Sequence, residues 1–194
     1  MATLDAASPW VFDTRELVRR AGAMKETARV VTAPDQIGTD VIAIKPGEPV
    51  DLELRMESVM EGVLATGSVR ASATGVCVRC LDDLDVPVEV TFQELFAYPD
   101  RAAHHQQVGA DEDEQNDVYE LEDDRMDLEE LVRDAVVTAL PFQPVCQDDC
   151  PGLCSECGAR LADDPGHHHD VIDPRWSALA DLAHQGTDDE KKRN

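Results

Sequence analysis

The six cysteines of this chain fall in two places. Cys77-Val-Arg-Cys80 stands alone near the middle. Cys146, Cys150, Cys154 and Cys157 crowd together further on. A Cys-x2-Cys pair in a tight turn aims two thiolates at one point, and a second pair completes the tetrahedron that Zn2+ prefers. Gly158 directly follows Cys157 and relieves the turn beside the sulfurs. Three imidazoles lie just beyond, in Gly166-His167-His168-His169. Residues of these types at these spacings describe closed structural zinc sites before redox or catalytic thiols. Cys77, Cys80, Cys146, Cys150, Cys154 and Cys157 are therefore all candidate zinc ligands.

Their partition stays open. Cys77 and Cys80 could join Cys154 and Cys157 in a ribbon-like site. They could instead join Cys146 and Cys150, leaving Cys154 and Cys157 to recruit His167, His168 or His169. The four downstream cysteines could also form a site alone. The second scheme uses every cysteine and gives the histidines a role. His104 and His105 belong to a polar stretch and are assigned to solvent.

The elements around these residues can be read from periodicity. Val50, Leu52, Leu54 and Met56 alternate with charged residues, and Val63, Ala65, Gly67, Val69 and Ala71 alternate more weakly. Leu84, Val86, Val88, Val90 and Phe92 repeat the pattern after Cys80. Period-two alternation describes strands with one wet and one buried face, hence an antiparallel meander. Cys77 and Cys80 then sit in the turn of a hairpin, and Pro87 marks an edge or a bulge. Shorter strands are expected at Val30-Val31 and at Val41 to Ile44. Asp13-Thr-Arg-Glu16 reads as a capping box opening a short helix over Leu17 and Val18, stopped by Gly22. From Asp127, Leu128, Leu131, Val132, Ala135, Val136, Ala139 and Leu140 form one helical stripe. Asp127 and Glu130 suggest its capping box and Pro141 its end. Residues 99–124 are acidic and aperiodic, and read as a disordered loop. Asp173-Pro-Arg-Trp176, with Leu179 and Leu182, predicts a short terminal helix.

The expected fold class is α+β: an antiparallel β meander packed with a central amphipathic helix, plus a cysteine-rich zinc-binding segment. The expected organisation is a core domain over 1–145, the zinc segment and short helix over 146–186, and a charged tail over 187–194. Zinc would replace the apolar core that the segment between Gln147 and Asp170 lacks.

A net charge of -24 repels phosphate backbones and favours basic partners. Arg15, Arg19, Arg20 and Lys25 form the one candidate basic patch, and they read equally as the wet side of the first helix. The beginning of the sequence has no signal-peptide pattern and no stretch is long enough to span a bilayer, so a cytoplasmic, reducing location is expected. Metalloprotease, P-loop, nucleophile-elbow and dinucleotide motifs are missing, which points away from an enzyme. The alternatives are a metal-dependent hydrolase or nuclease, which would need an open zinc position, and a redox-responsive zinc regulator.

Several segments in order carry a resemblance. They are Phe12-Asp-Thr-Arg-Glu-Leu17, Glu57-Ser-Val-Met-Glu-Gly62 and Cys77-Val-Arg-Cys80-Leu81. Further on come Leu140-Pro-Phe-Gln-Pro144, Gly152-Leu-Cys-Ser-Glu-Cys-Gly158 and Ile172-Asp-Pro-Arg175. In these the chain resembles the YceD family of large ribosomal RNA subunit accumulation proteins, in its actinobacterial-looking branch. The resemblance implies a non-catalytic role in synthesis, processing or accumulation of 23S rRNA. It implies a basic ribosomal protein or a pre-50S particle as partner, and leaves direct RNA contact undecided. Many cysteine-rich members carry a further Cys-x-Cys where this chain has Gly166-His-His-His169, which suggests imidazole substitution.

Overall fold

The structure is a computed structural model, and residues 4–101 and 119–169 are described. The chain divides into two compact units, Met1–Asp148 and Asp149–Asn194. His104, His105, most of the acidic stretch, Trp176 with its expected helix, and the tail lie outside the described residues.

The first unit is mostly antiparallel β. Its strands are β1 (Val11–Asp13), β2 (Met24–Thr32), β3 (Ile37–Gly38), β4 (Ile42–Ile44), β5 (Pro49–Ser58), β6 (Gly62–Val76), β7 (Asp83–Ala97) and β8 (Arg125–Asp127). The α-helix α1 (Glu129–Ala139) follows β8. In the main sheet β6 is the axis. β7 pairs with it along its whole length, from Gly62 opposite Ala97 to Val76 opposite Asp83. Its other edge is shared: β5 takes Val63 to Arg70 and β4 takes Thr74 and Gly75. β2 extends the sheet beyond β5, and β3 beyond β4. β7 has β6 as its partner in this sheet, the edge position that tolerates Pro87.

Alternation decides which face is buried. Val50, Leu52, Leu54 and Met56 on β5 are fully covered, as are Val63, Ala65 and Val69 on β6. Val88, Val90, Phe92 and Phe96 continue this face on β7. Over it pack Trp10, Phe12, Leu121, Met126 and Leu128, together with Leu131, Val132 and Val136 of α1. The helix lies on β7 and β3. Of its expected stripe, Ala139 is exposed. Leu140 has extended backbone (φ -67°, ψ 141°), as a residue before proline must, so the helix stops there.

Both expected capping boxes are corrected. Asp13 closes no helix: its residue ends β1, and its carboxylate accepts from the N–H and the guanidinium of Arg15. Only a single 3-10 turn, Arg15–Leu17, forms, and Val18 leaves it in the left-handed region with its side chain exposed. At α1, Asp127 Oδ1 accepts from the N–H of Glu129 at 2.9 Å, one residue earlier than a box requires. The cause is the same at both places. Each aspartate is held in the β1–β8 ladder, which pairs Val11 with Asp127 and Asp13 with Arg125. Thr14 locks this ladder, giving both its N–H and its hydroxyl to Asp124 O at 2.9 and 2.8 Å.

Candidate metal centres

The β6–β7 hairpin carries the first knuckle at its tip, and the turn is fixed by backbone bonds. Cys77 N–H donates to Asp82 O at 2.8 Å, and Leu81 N–H donates to Cys77 O at 2.9 Å. Leu81 consequently sits at φ 62°, in the left-handed region. Arg79 N–H points at Cys77 Sγ, 3.4 Å away. The second knuckle repeats every one of these features. Cys154 N–H donates to Ala159 O at 2.8 Å, and Gly158 N–H to Cys154 O at 2.9 Å. Gly158 has φ 73°, and Glu156 N–H lies 3.4 Å from Cys154 Sγ. Two stretches with different sequences thus make one turn, because Cys-x2-Cys with a left-handed fifth residue converges two sulfurs and several N–H groups.

Around each knuckle the remaining candidate ligands gather. Cys77, Cys80, Cys146 and Cys150 form one group and Cys154, Cys157, His167 and His169 another, with the ligand atoms of each group all within 4.8 Å of one another. Cys80 Sγ is 3.6 Å from Cys146 Sγ. Cys157 Sγ is 3.2 Å from His167 Nε2 and 3.3 Å from His169 Nε2, and the two imidazole nitrogens are 2.8 Å apart. Tetrahedral coordination with ordinary metal–ligand bond lengths sets edges of about 3.8 Å for S···S, about 3.6 Å for S···N and about 3.3 Å for N···N. Cys80···Cys146 is near its edge and the separations in the second group fall about 0.3–0.5 Å short of theirs, so each donor set is of a size to close around one divalent ion. His168 stands apart, its Nδ1 3.1 Å from Gly166 O. Asp164 Oδ2 lies 3.9 Å from His167 Nδ1, beyond hydrogen-bond length but on the side of the ring away from the ligating Nε2.

One thiol of each knuckle is prepared for ligation. Burial pushes Cys77 up, but the N–H groups of Cys80, Cys146 and Arg79 and the Cys80 thiol outweigh it and bring Cys77 down to about 6. At Cys154 the N–H groups of Cys157 and Glu156 lead. With the His167 and Cys157 side chains they overcome burial and bring it to about 6 as well. A thiolate is the form that binds metal. The groups differ in access. In the first group Cys77 and Cys150 are buried and Cys146 is exposed, whereas in the second Cys157 and His169 are exposed and neither remaining donor is buried.

Around the first knuckle, Val78 N–H donates to Pro144 O at 2.9 Å and the Arg79 guanidinium donates to Asp148 O at 3.0 Å. Sequence reasoning missed these supports, and it missed Leu81 and Asp164. A leucine in the left-handed region carries no signal of its own, although its place beside Gly158 in the repeated Cys-x2-Cys-x frame would have revealed it. The candidate basic patch is largely neutralised. Arg15 pairs with Asp13, Arg19 with Asp124 and Asp100, and Lys25 with Glu16.

The fold and site define a class: a mostly antiparallel β protein with two Cys/His clusters able to hold metal. Residues 65–183 match the family described as large ribosomal RNA subunit accumulation protein YceD. The chain belongs to that family. It is 48% identical over 176 residues to uncharacterized proteins of Mycobacterium tuberculosis and Mycobacterium bovis, covering 91% of this chain and 82% of theirs. An uncharacterized Bacillus subtilis protein, YlbN, is 32% identical over 123 residues, 59% of this chain and 61% of its own. No solved structure gives a significant match. Among the described residues, no helix is long and apolar enough to cross a membrane.

Proposed function

We propose that this chain is a cytoplasmic, non-catalytic accessory factor in large ribosomal subunit biogenesis, acting in the synthesis, processing or accumulation of 23S rRNA. The observation that carries the reading is the family match over 119 residues, from 65 to 183. In this reading Cys77, Cys80, Cys146 and Cys150 hold one zinc ion, and Cys154, Cys157, His167 and His169 hold another. Zinc is favoured over harder ions because the donors are thiolate and imidazole. Its role is to fix the two turns, since four protein donors close each site to water.

The partner is a basic ribosomal protein or a pre-50S particle bearing one. Support comes from the charge of -24 and from the pairing of Arg15, Arg19 and Lys25 with carboxylates, which leaves little to attract a phosphate backbone.

Depletion of the protein in its own host tests the role. Sucrose-gradient profiles should show fewer 50S subunits with 30S subunits unchanged, and 23S rRNA should fall relative to 16S. Unaltered subunit and rRNA ratios would overturn the assignment. Metal analysis of untagged protein purified under reducing conditions should find two zinc ions per chain, matching the two donor groups.

A further inference from the structure

The two clusters are built on the same kind of turn, and they differ in their donors and in their surroundings. Those surroundings differ sharply. In the first group Cys77 is 0% and Cys150 5% exposed, Cys80 is half-buried, and Cys146 is the exposed thiol. In the second, Cys157 and His169 are exposed, Cys154 and His167 are half-buried, and a cavity of about 400 Å3 opens against Cys154, His167 and His169. Beyond Cys150 and Gly152 the described residues of this second unit are not buried, and Leu153 and Leu161 are only half-covered. Its backbone is held by short-range bonds, among them Cys154 N–H to Ala159 O, Gly158 N–H to Cys154 O, Leu161 N–H to Gly152 O and His167 N–H to Asp164 O. The first knuckle instead ends a fifteen-residue ladder between β6 and β7.

We propose that the second cluster is a redox-releasable metal clasp, and that the first is a permanent one. The inference rests on zinc occupying both clusters, as proposed above. Hydrogen peroxide is the co-reactant. The Cys154 and Cys157 thiolates each give one electron, an S–S bond forms between them, the peroxide O–O bond breaks, and two hydroxide ions leave. His167 and His169 alone then hold the cation too weakly, and it departs. A four-thiolate group carries more negative charge and is intrinsically the better nucleophile. Access decides the order all the same: both thiolates of the second cluster lie within an oxidant's reach, whereas oxidation at the exposed Cys146 leaves the buried Cys77 and Cys150 on the ion. With the metal gone, the turn around Cys154 has no core to hold it and opens locally, while the β-sheet of the first unit keeps its own.

The test uses the zinc-loaded full chain treated with peroxide, with released zinc read by a chromogenic chelator and amide exchange read by mass spectrometry or NMR. One equivalent should leave at least about tenfold faster than the other, as accessibility of the thiolates dictates. In that phase the amides of Cys154, Gly158 and Leu161 should lose protection while those of Cys77, Val78 and Leu81 keep theirs. Peptide mapping should find a Cys154–Cys157 disulfide, and a thiol reductant with added zinc should restore the starting state. Cys154→Ser should abolish the fast phase and leave the slow one. Release in a single phase, loss at Cys77 first, or a fast phase without that disulfide would each overturn the proposal. Absence of zinc before peroxide is added would instead remove the reading beneath it, a separate and earlier result.

Discussion

Gly158 and Leu81 occupy the same position of the same turn, and exchanging their side-chain demands gives opposite arithmetic. At Gly158 (φ 73°) an added Cβ would have nothing within 4 Å, so Gly158→Ala meets no steric obstacle. Its cost is backbone strain alone, about 1–2 kcal/mol for an L-residue in the left-handed region. Part of this is offset by the smaller entropy that alanine loses on ordering, about 0.5–1 kcal/mol. The net cost is about 1 kcal/mol. Because this turn has no apolar core and forms around its ligands, the loss should appear in metal affinity rather than in global stability. It corresponds to roughly fivefold weaker binding at the second cluster. At Leu81, glycine would relieve the same strain and incur the same entropic loss. It would also remove a side chain that is 63% exposed, forfeiting about a third of a leucine's burial, about 0.5–1 kcal/mol. Leu81→Gly should thus leave binding at the first cluster within about threefold of wild type. Competition against a chromogenic chelator at fixed pH, with both variants measured in the same buffer, reads both numbers. If Gly158→Ala binds as tightly as wild type, or weakens binding beyond about fiftyfold, the backbone account of the knuckle is wrong.

Two further outcomes follow from the first unit. At Gly62 an added Cβ would lie 2.1 Å from Phe96 O and 2.8 Å from Ala97 Cα, both backbone atoms that cannot give way. Gly62→Ala should therefore cost about 2–3 kcal/mol or more by forcing β6 from β7, seen as a lowered urea midpoint; an unchanged midpoint would refute that close approach. Asp13 is held down at about 2, chiefly by its hydrogen bond from the Arg15 side chain, then by that from the Arg15 N–H. A carboxylate depressed in the folded state adds stability that is present above its ordinary value of 3.8 and is lost as pH falls through about 2. With the side chain 43% exposed, screening holds this below about 1 kcal/mol. Asp13→Asn should lower stability by that much at pH 7 and converge with wild type near pH 2, while a constant gap across that range would exclude the ionic contribution.

Much of the sheet was legible because its strands obey a local rule. β5 alternates buried Val50, Leu52, Leu54 and Met56 with wet Asp51, Glu53 and Arg55, and β7 does the same around Val88, Val90 and Phe92. β2 was mostly hidden. Val31 is its one buried residue and Val30 is exposed, because the strand sits at the rim of the sheet and its pairing with β5 is a matter of backbone bonds rather than of pattern. Trp10 and Phe12, both buried, carry no strand signal, since a three-residue strand leaves no period to detect. Arg29 stacks its guanidinium over the Phe12 ring at 4.1 Å and donates to Pro9 O and Val11 O, a tie across which sequence offers no signal.

By itself the sequence determined the six cysteines, the three histidines, the alternating strands and the apolar stripe of α1, because each depends on residue type and short spacing. Tertiary structure decided the rest. Pairing β1 with β8 joins residues more than a hundred positions apart and turns two would-be helix caps into strand ends. Folding brings Cys77 and Cys80 beside Cys146 and Cys150, and it selects His167 and His169 over His168 beside Cys154 and Cys157. Spacing limits which donors can reach one another, but only the path of the chain determines which of them do.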